Sequence, residues 1–374
     1  MPKLMIAAGI FHPESGGPAT YLKEILPALQ DKSWQASVLS YGDDSEYSYP
    51  YPVTRIKRQT LPLRLFNYWQ ASAEIAQSAD LIYAHTIDLP VQWTNAPRII
   101  KIVGDQAWER CIRRGWITAT TDIDDFQTTS YSWLVNRQKK SRSEQVRAFD
   151  AVIVPSHYLK QMVMTWGVPE QHIHVIYNAL PPEVENLPTT QASARALLNW
   201  DERPTILTAA RLTPWKGVDH LINALRQVDN VRLVVAGDGE ELPRLGKLAF
   251  DLGDRVEFLG RVPREKLYTM MKATDYFALY SGYEGLPHTI LEALRVGTPI
   301  LASDKGGNPE IVQHNINGLL IPYVDVDALA DSIRQAFSSD TRQGLAQNTQ
   351  LNMERFAFET MVTETDTILK QYLR

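Results

Sequence analysis

The sequence predicts an α/β protein built from two Rossmann-like, doubly wound parallel sheets. Two observations carry this. Short β-branched apolar runs alternate with helix-like stretches along most of the 374 residues, the pattern of strands buried on both faces by crossover helices. The alternation breaks at residues 181–190, Pro-Pro-Glu-Val-Glu-Asn-Leu-Pro-Thr-Thr, and then restarts. At roughly 100–200 residues per domain the length allows two or three domains, and the shared rhythm marks two halves.

In the first half, strands are expected at 4–11, 36–40, 79–85, 97–103, 150–155 and 175–177, because each is a compact apolar run rich in Ile, Val and Leu. Helices are expected at 19–30, 69–78 and 158–166 between them. Residues 181–190 read as a linker into a short helix. In the second half, strands are expected at 204–210, 231–236, 256–259, 276–279, 299–302 and 318–321. Helices are expected at 218–227, 240–251, 264–273, 289–296 and 326–338. The tail, 356–373, carries Met361, Val362, Ile368, Leu369 and Leu373 on one helical face. That face either closes the second domain or crosses back to cap the first.

Composition excludes several classes. A net charge of −5 argues against binding nucleic acid through a global basic field. The single cysteine, Cys111, excludes an internal disulfide and a cysteine zinc cluster, and it suits a reducing compartment. No apolar run approaches the ~20 residues of a membrane span. The run at 4–11 follows one lysine and stops at His12-Pro13, so it reads as a first strand rather than a signal peptide. The expectation is a cytoplasmic protein. Residues 1–180 carry 18 Lys and Arg against 17 Asp and Glu; the remainder carries 20 against 26. Two basic clusters, Arg55-Ile-Lys-Arg58 and Arg137-Gln-Lys-Lys-Ser-Arg142, are either solvated surface or contacts for a polyanionic acceptor or an anionic membrane.

In doubly wound sheets, ligands bind beyond the carboxyl ends of the strands. After the first strand, Pro13-Glu-Ser-Gly16-Gly17 precedes a helix. The pair is either a tight turn or a place where backbone approaches an anion. A third glycine is missing, so this is no dinucleotide fingerprint, and the same holds for Gly237-Asp-Gly239. After 204–210 comes Arg211-Leu-Thr-Pro-Trp-Lys216-Gly217. A forked donor and a mobile point charge suit a diphosphate clamp. After 276–279 comes Ser281-Gly-Tyr-Glu284-Gly285-Leu286-Pro287-His288-Thr289-Ile-Leu-Glu292. Pro287 suits a first helical turn, the N–H groups of His288 and Thr289 suit an anion, and carboxylates at Glu284 and Glu292 suit vicinal hydroxyls.

Taken together in this order, these loops resemble the retaining nucleotide-sugar glycosyltransferases of family 4, whose GT-B architecture sets two Rossmann-like domains facing a cleft. The resemblance spans nearly the whole chain. It includes Gly16-Gly17, Arg211-x4-Lys216-Gly217, 235–239, 256–260, Glu284-x7-Glu292 and the amphipathic tail. It implies an N-terminal acceptor-side domain of 1–180 plus a returning helix at 356–374, and a donor-binding domain of 181–355. It also implies roles. Arg211 and Lys216 hold the diphosphate. Glu284 meets the donor sugar beside the N–H groups of Gly285 and Leu286. Glu292 binds the ribose, and the backbone at Arg261 and Val262 meets the base. Gly16 and Gly17 lie near phosphate and acceptor. Similar enzymes often place a histidine after the fourth N-terminal strand. Here Gly104-Asp105-Gln106 stands there, so Asp105 is the carry-over candidate for contact with the transferred sugar, and His85 is a further pocket candidate.

The expected activity is metal-independent, retaining transfer of a hexose from a nucleotide diphosphate sugar to a hydroxyl of a polysaccharide, a lipid-linked glycan or a small glycoside. The donor is a co-substrate and no cofactor is expected. The expected partners are a nucleotide-sugar donor and a carbohydrate or lipid-linked acceptor, with no nucleic acid and with peripheral contact at the inner membrane surface. A nucleotide-sugar epimerase and a non-catalytic nucleotide-sugar-binding protein are the rival readings. Asp122-Ile-Asp124 has the spacing of a metal-binding pair, but two cations already neutralise the diphosphate. Asp325-Val-Asp327 reads as a helix cap. Trp108, Trp116 and Trp133 are candidates for stacking on an acceptor.

Overall fold

The structure, a computed structural model, describes residues 1–14, 16–92, 94–180 and 187–373. The chain forms two compact units. The first comprises Met1–Trp116, Thr129–Tyr177 and Phe358–Arg374; the second comprises Ile117–Thr128 and Asn178–Ala357.

The first unit holds a seven-stranded parallel sheet, β1 (Lys3–Ala8), β2 (Gln35–Tyr41), β3 (Val53–Ile56), β4 (Leu81–Ala84), β5 (Arg98–Lys101), β6 (Ala151–Val154) and β7 (Ile173–Val175), in the order β3-β2-β1-β4-β5-β6-β7. The central strands are apolar because helices cover both faces: all four residues of β4 and all four of β6 are buried. Strand β3 is an addition to the sequence expectation. It lies at the sheet edge, and its Val-Thr-Arg-Ile is only half-buried, so it carries no continuous apolar run.

The N-terminal stretch includes the helices α1 (Gly17–Asp31), α2 (Leu61–Ser78), α3 (Gln106–Arg113), α4 (Ile123–Thr128) and α5 (Trp133–Arg147). Helix α2 begins eight residues before the expected start at 69, since its first turns carry exposed Leu61, Leu63 and Phe66 rather than a buried face. Helices α3 to α5 were not expected. Helix α5 buries only Val135, Arg142 and Val146 along fifteen residues, too few for a clear apolar stripe.

The second unit holds a six-stranded parallel sheet, β8 (Thr205–Ala209), β9 (Arg232–Ala236), β10 (Val256–Gly260), β11 (Tyr276–Leu279), β12 (Ile300–Ser303) and β13 (Gly318–Ile321), in the order β10-β9-β8-β11-β12-β13. The strand order reverses at β8 and β11, so their carboxyl ends open onto the crevice where such sheets take ligands.

Helix Phe358–Gln371 belongs to the first unit. It buries Met361, Val362 and Leu369, and Asp366 accepts a hydrogen bond from Trp34 Nε1 at 2.7 Å. Segment Ile117–Thr128, inside the expected first domain, instead packs with the second unit. Ile123 and Phe126 are buried, and Asp122 pairs with Lys305 at 3.1 Å. Of the expected linker, 181–186 lie outside the described residues; Thr190 caps the helix Gln191–Leu198 that follows. Among the described residues, no helix is long and apolar enough to cross a membrane.

Candidate functional site

The loops after β8, β11 and β12 converge in the second unit. After β8, the chain turns through a short 3-10 helix, Pro214–Lys216. Gly217 then takes φ +63°, and a Cβ there would come within 1.9 Å of the Tyr280 carbonyl oxygen, so only glycine lets this loop press on the one after β11. Gly282 N donates to Trp215 O at 2.8 Å and locks the two loops. Lys216 and Glu284 thereby meet: Nζ lies 2.6 Å from Oε1, and both side chains are largely buried. Arg211 is exposed, and among the described residues its guanidinium has no side-chain partner. One paired and one open cation therefore stand at the switch point.

The β12 loop completes the floor. Gly306 has φ +62°, and a Cβ on it would lie 2.4 Å from Glu284 O; Gly307 N donates to the same carbonyl at 2.8 Å. Lys305-Gly306-Gly307 was missed in the sequence, although a glycine pair after a buried strand is the same signal that drew attention to Gly16-Gly17.

Helix His288–Arg295 follows Gly285 and Leu286. Pro287 is its N-cap rather than its first residue, and His288 and Thr289 form the opening turn. Glu292 is buried in this helix. Its Oε1 accepts from Tyr268 OH at 3.0 Å and pairs with Arg264 at 3.1 Å. Burial pushes the Glu292 carboxyl above its ordinary pKa, and Arg264 and Tyr268 oppose that shift. Arg261 and Val262 follow β10, two strands from β8; Arg261 is exposed and reaches Asp238 at 3.5 Å. The Gly237-Asp-Gly239 loop is held against its neighbours by Gly237 N to Gly260 O and Leu212 N to Asp238 O.

Gly16, Gly17, Asp105, His85 and the three tryptophans fall in the first unit. Gly16 is the N-cap of α1 and Gly17 its first residue. Asp105 corrects the expectation of a carboxylate offered to a sugar. It has no exposed surface; Oδ1 accepts from Ala107 N at 2.9 Å and Trp108 N at 3.2 Å as the cap of α3, and Oδ2 pairs with buried Arg142. Arg142, expected in a surface cluster, lies instead over the Trp166 ring. His85 is also buried, against Tyr83 and Tyr21, and burial beside Lys101 holds its pKa well below the usual value. Trp108 is core, whereas Trp116 and Trp133 are exposed.

Both oxygens of Asp122 are engaged. Oδ1 accepts from Asp124 N at 2.7 Å and Oδ2 contacts Lys305. Burial works to raise its pKa, but the Lys305 bond and the Asp124 and Asp125 amides outweigh burial and lower it. Asp325 caps the helix Val326–Ala336 by accepting from Ala328 N at 2.9 Å.

Comparison with known proteins agrees with this architecture. The family model described as Glycosyltransferase Family 4 matches residues 15–184, and that described as Glycosyl transferases group 1 matches 190–352. A GDP-mannose-dependent alpha-(1-6)-phosphatidylinositol monomannoside mannosyltransferase of Mycobacterium tuberculosis is 38% identical over 174 residues, 42% of this chain and 45% of the relative. The chain thus spans under half the length of that relative. A Corynebacterium glutamicum relative, named a GDP-mannose-dependent monoacylated alpha-(1-6)-phosphatidylinositol monomannoside mannosyltransferase, is 24% identical over 91% of this chain and 90% of its own. Among solved structures, Anabaena HepE in complex with UDP and glucose has a TM-score of 0.79 at 22% identity, covering 99% of this chain and 100% of that one. Sucrose-phosphate synthase of Thermosynechococcus elongatus also has a TM-score of 0.79, at 21% identity, covering 99% and 98%.

Proposed function

We propose that this chain, which belongs to the family 4 glycosyltransferases of the GT-B architecture, moves a hexose from a nucleotide diphosphate sugar to an acceptor hydroxyl. The transfer retains the anomeric configuration and uses neither a metal nor a cofactor. The observation that carries this reading is the Lys216–Glu284 pair beside the open Arg211, at the switch point of the second sheet. An arriving diphosphate takes Lys216 from Glu284 and adds Arg211 as a forked donor. Glu284, released, accepts a hydroxyl of the sugar. As the anomeric C–O bond to the leaving phosphate breaks, its electron pair goes to the phosphate oxygen, where both cations stabilise the growing charge. The same oxygen then takes the proton of the acceptor hydroxyl, whose oxygen bonds to the anomeric carbon on the face just vacated.

Glu292 is the candidate for the ribose hydroxyls, with Arg264 and Tyr268 orienting its carboxylate. Gly285, Leu286, Arg261 and Val262 supply main chain to sugar and base, and Gly16 and Gly17 are assigned to phosphate and acceptor. The names of the mannosyltransferase relatives support a hexose and a lipid-linked acceptor. The UDP and glucose in the HepE crystals support a nucleotide-sugar donor.

The test is incubation with UDP-, GDP- and ADP-hexoses and a panel of acceptors. Lys216→Ala should abolish transfer, a loss of at least about a hundredfold for one charge-stabilising donor, with the fold intact by circular dichroism. An active Lys216→Ala enzyme sinks the assignment.

A further inference from the structure

A cavity of about 810 Å³ lies wholly within the first unit. It opens at the carboxyl ends of that sheet, reached by Gly9 after β1, Tyr41 at the end of β2 and Thr86–Asp88 after β4. Four arginines line it, Arg58, Arg64, Arg110 and Arg114, against a single acid, Asp88. That acid is already committed to Arg110 at 2.5 Å and to Gln145 Nε2 at 2.6 Å. Arg58 is taken by Glu14. Arg64 and Arg114 remain: among the described residues neither has a carboxylate partner. The Arg64 guanidinium rests over the Tyr41 ring, with its buried Nε unpaired. Two uncompensated forked donors in one concavity suit a phosphate ester.

Beside Thr86, Gln106 and Gln138, the wall also has an apolar side. Leu61 and Leu65 of α2 line the cavity together with Trp116. Leu61, Leu65 and Trp69 repeat at i, i+4 and i+8 and so share a helix face, and Phe66 lies against Trp69 at 6.2 Å between ring centroids. Leu61, Phe66 and Trp69 are 57%, 56% and 47% exposed, a contiguous apolar surface leading out of a cationic pocket. We propose that this cavity takes a phosphorylated lipid, with Arg64 and Arg114 on the phosphate and the apolar chain along the exposed face of α2. The inference rests on the transfer reading only in naming that lipid as the acceptor.

The test is sedimentation of the full chain with vesicles of phosphatidylcholine alone or mixed equally with phosphatidylglycerol. The protein should bind the mixed vesicles at least tenfold more tightly. Arg114→Glu and Phe66→Asp, both at exposed positions, should each weaken that binding tenfold or more. Arg137→Glu, an exposed change outside the cavity, should leave it unchanged. Equal binding to both vesicles overturns the proposal. So does an equal loss in Arg137→Glu, which would assign the effect to overall charge, or saturation by soluble glycerol phosphate with no vesicle binding. Nucleotide-sugar binding is measured on the same preparation. If it persists while vesicle binding fails, this inference falls alone; if it fails while vesicle binding persists, the transfer reading falls alone.

Discussion

Lys101 sits at the end of β5 with its ammonium group buried, 4.1 Å above the Tyr21 ring and without a hydrogen-bond partner among the described residues. Burial lowers its pKa from 10.5 to about 7. The neighbouring His85, equally buried, cannot supply a counter-charge, and Tyr21 offers only its ring face. The consequence for stability has a definite sign. Between pH 7 and 10.5 the unfolded chain holds a proton on Lys101 that the native chain has released, so stability rises with pH across that window at up to roughly 1.4 kcal/mol per unit. Below pH 7 both states are protonated, and the full cost of burying the charge remains. Lys101→Met keeps the stem and removes the ammonium. It should therefore raise the melting temperature at neutral pH, and the gain should shrink as pH approaches 10.5. A gain independent of pH would show that Lys101 is not titrating in this window.

At the scale of elements, a buried ion pair helps hold α3 to α5: Asp105, which also caps α3, with Arg142. Asp105→Ala removes the cap, at about 1 kcal/mol, and leaves a buried guanidinium without its counter-ion, at about 3–5 kcal/mol. Asp105→Asn keeps an acceptor for the cap and loses the charge. The denaturant midpoints should therefore fall in the order wild type, Asp105→Asn, Asp105→Ala; coincident wild-type and Asn curves would mean that the ion pair contributes nothing. This contact also shows where sequence stops being legible. Strands such as β4, β6 and β11 were readable because burial on both faces leaves near-continuous apolar runs. Edge strand β3 and helix α5 were not, because half-exposed elements lack that signature. In the loops after β8 and β11, Arg211, Lys216 and Glu284 stand out by their position after strands. Their pairing does not, since Lys216 and Glu284 are 68 residues apart. Asp105 was misread for the same reason: its partner Arg142 lies 37 residues on, inside a run that looks like basic surface.

For the whole molecule, a link between sequence-distant residues closes the first unit through its two ends. Trp34 Nε1 donates to Asp366 across 332 residues, in a site where both side chains are buried, and Lys370 pairs with the same carboxylate at 2.9 Å. The apolar face of helix Phe358–Gln371 supplies the area, while this hydrogen bond fixes its register against the turn after α1. Asp366→Ala leaves the indole N–H buried and unpaired, a cost of about 1–3 kcal/mol. Because the contact lies wholly in the first unit, that cost should be spent there. Hydrogen exchange should show the amides of α1, β2 and 358–371 losing protection by roughly a factor of ten per 1.4 kcal/mol. The amides of β8 and β11, which frame the proposed donor loops, should keep theirs, and nucleotide binding should persist. If protection instead falls evenly across both sheets, the two units unfold as a single cooperative body, and a change in the tail would reach the proposed donor site through global stability rather than through any local contact.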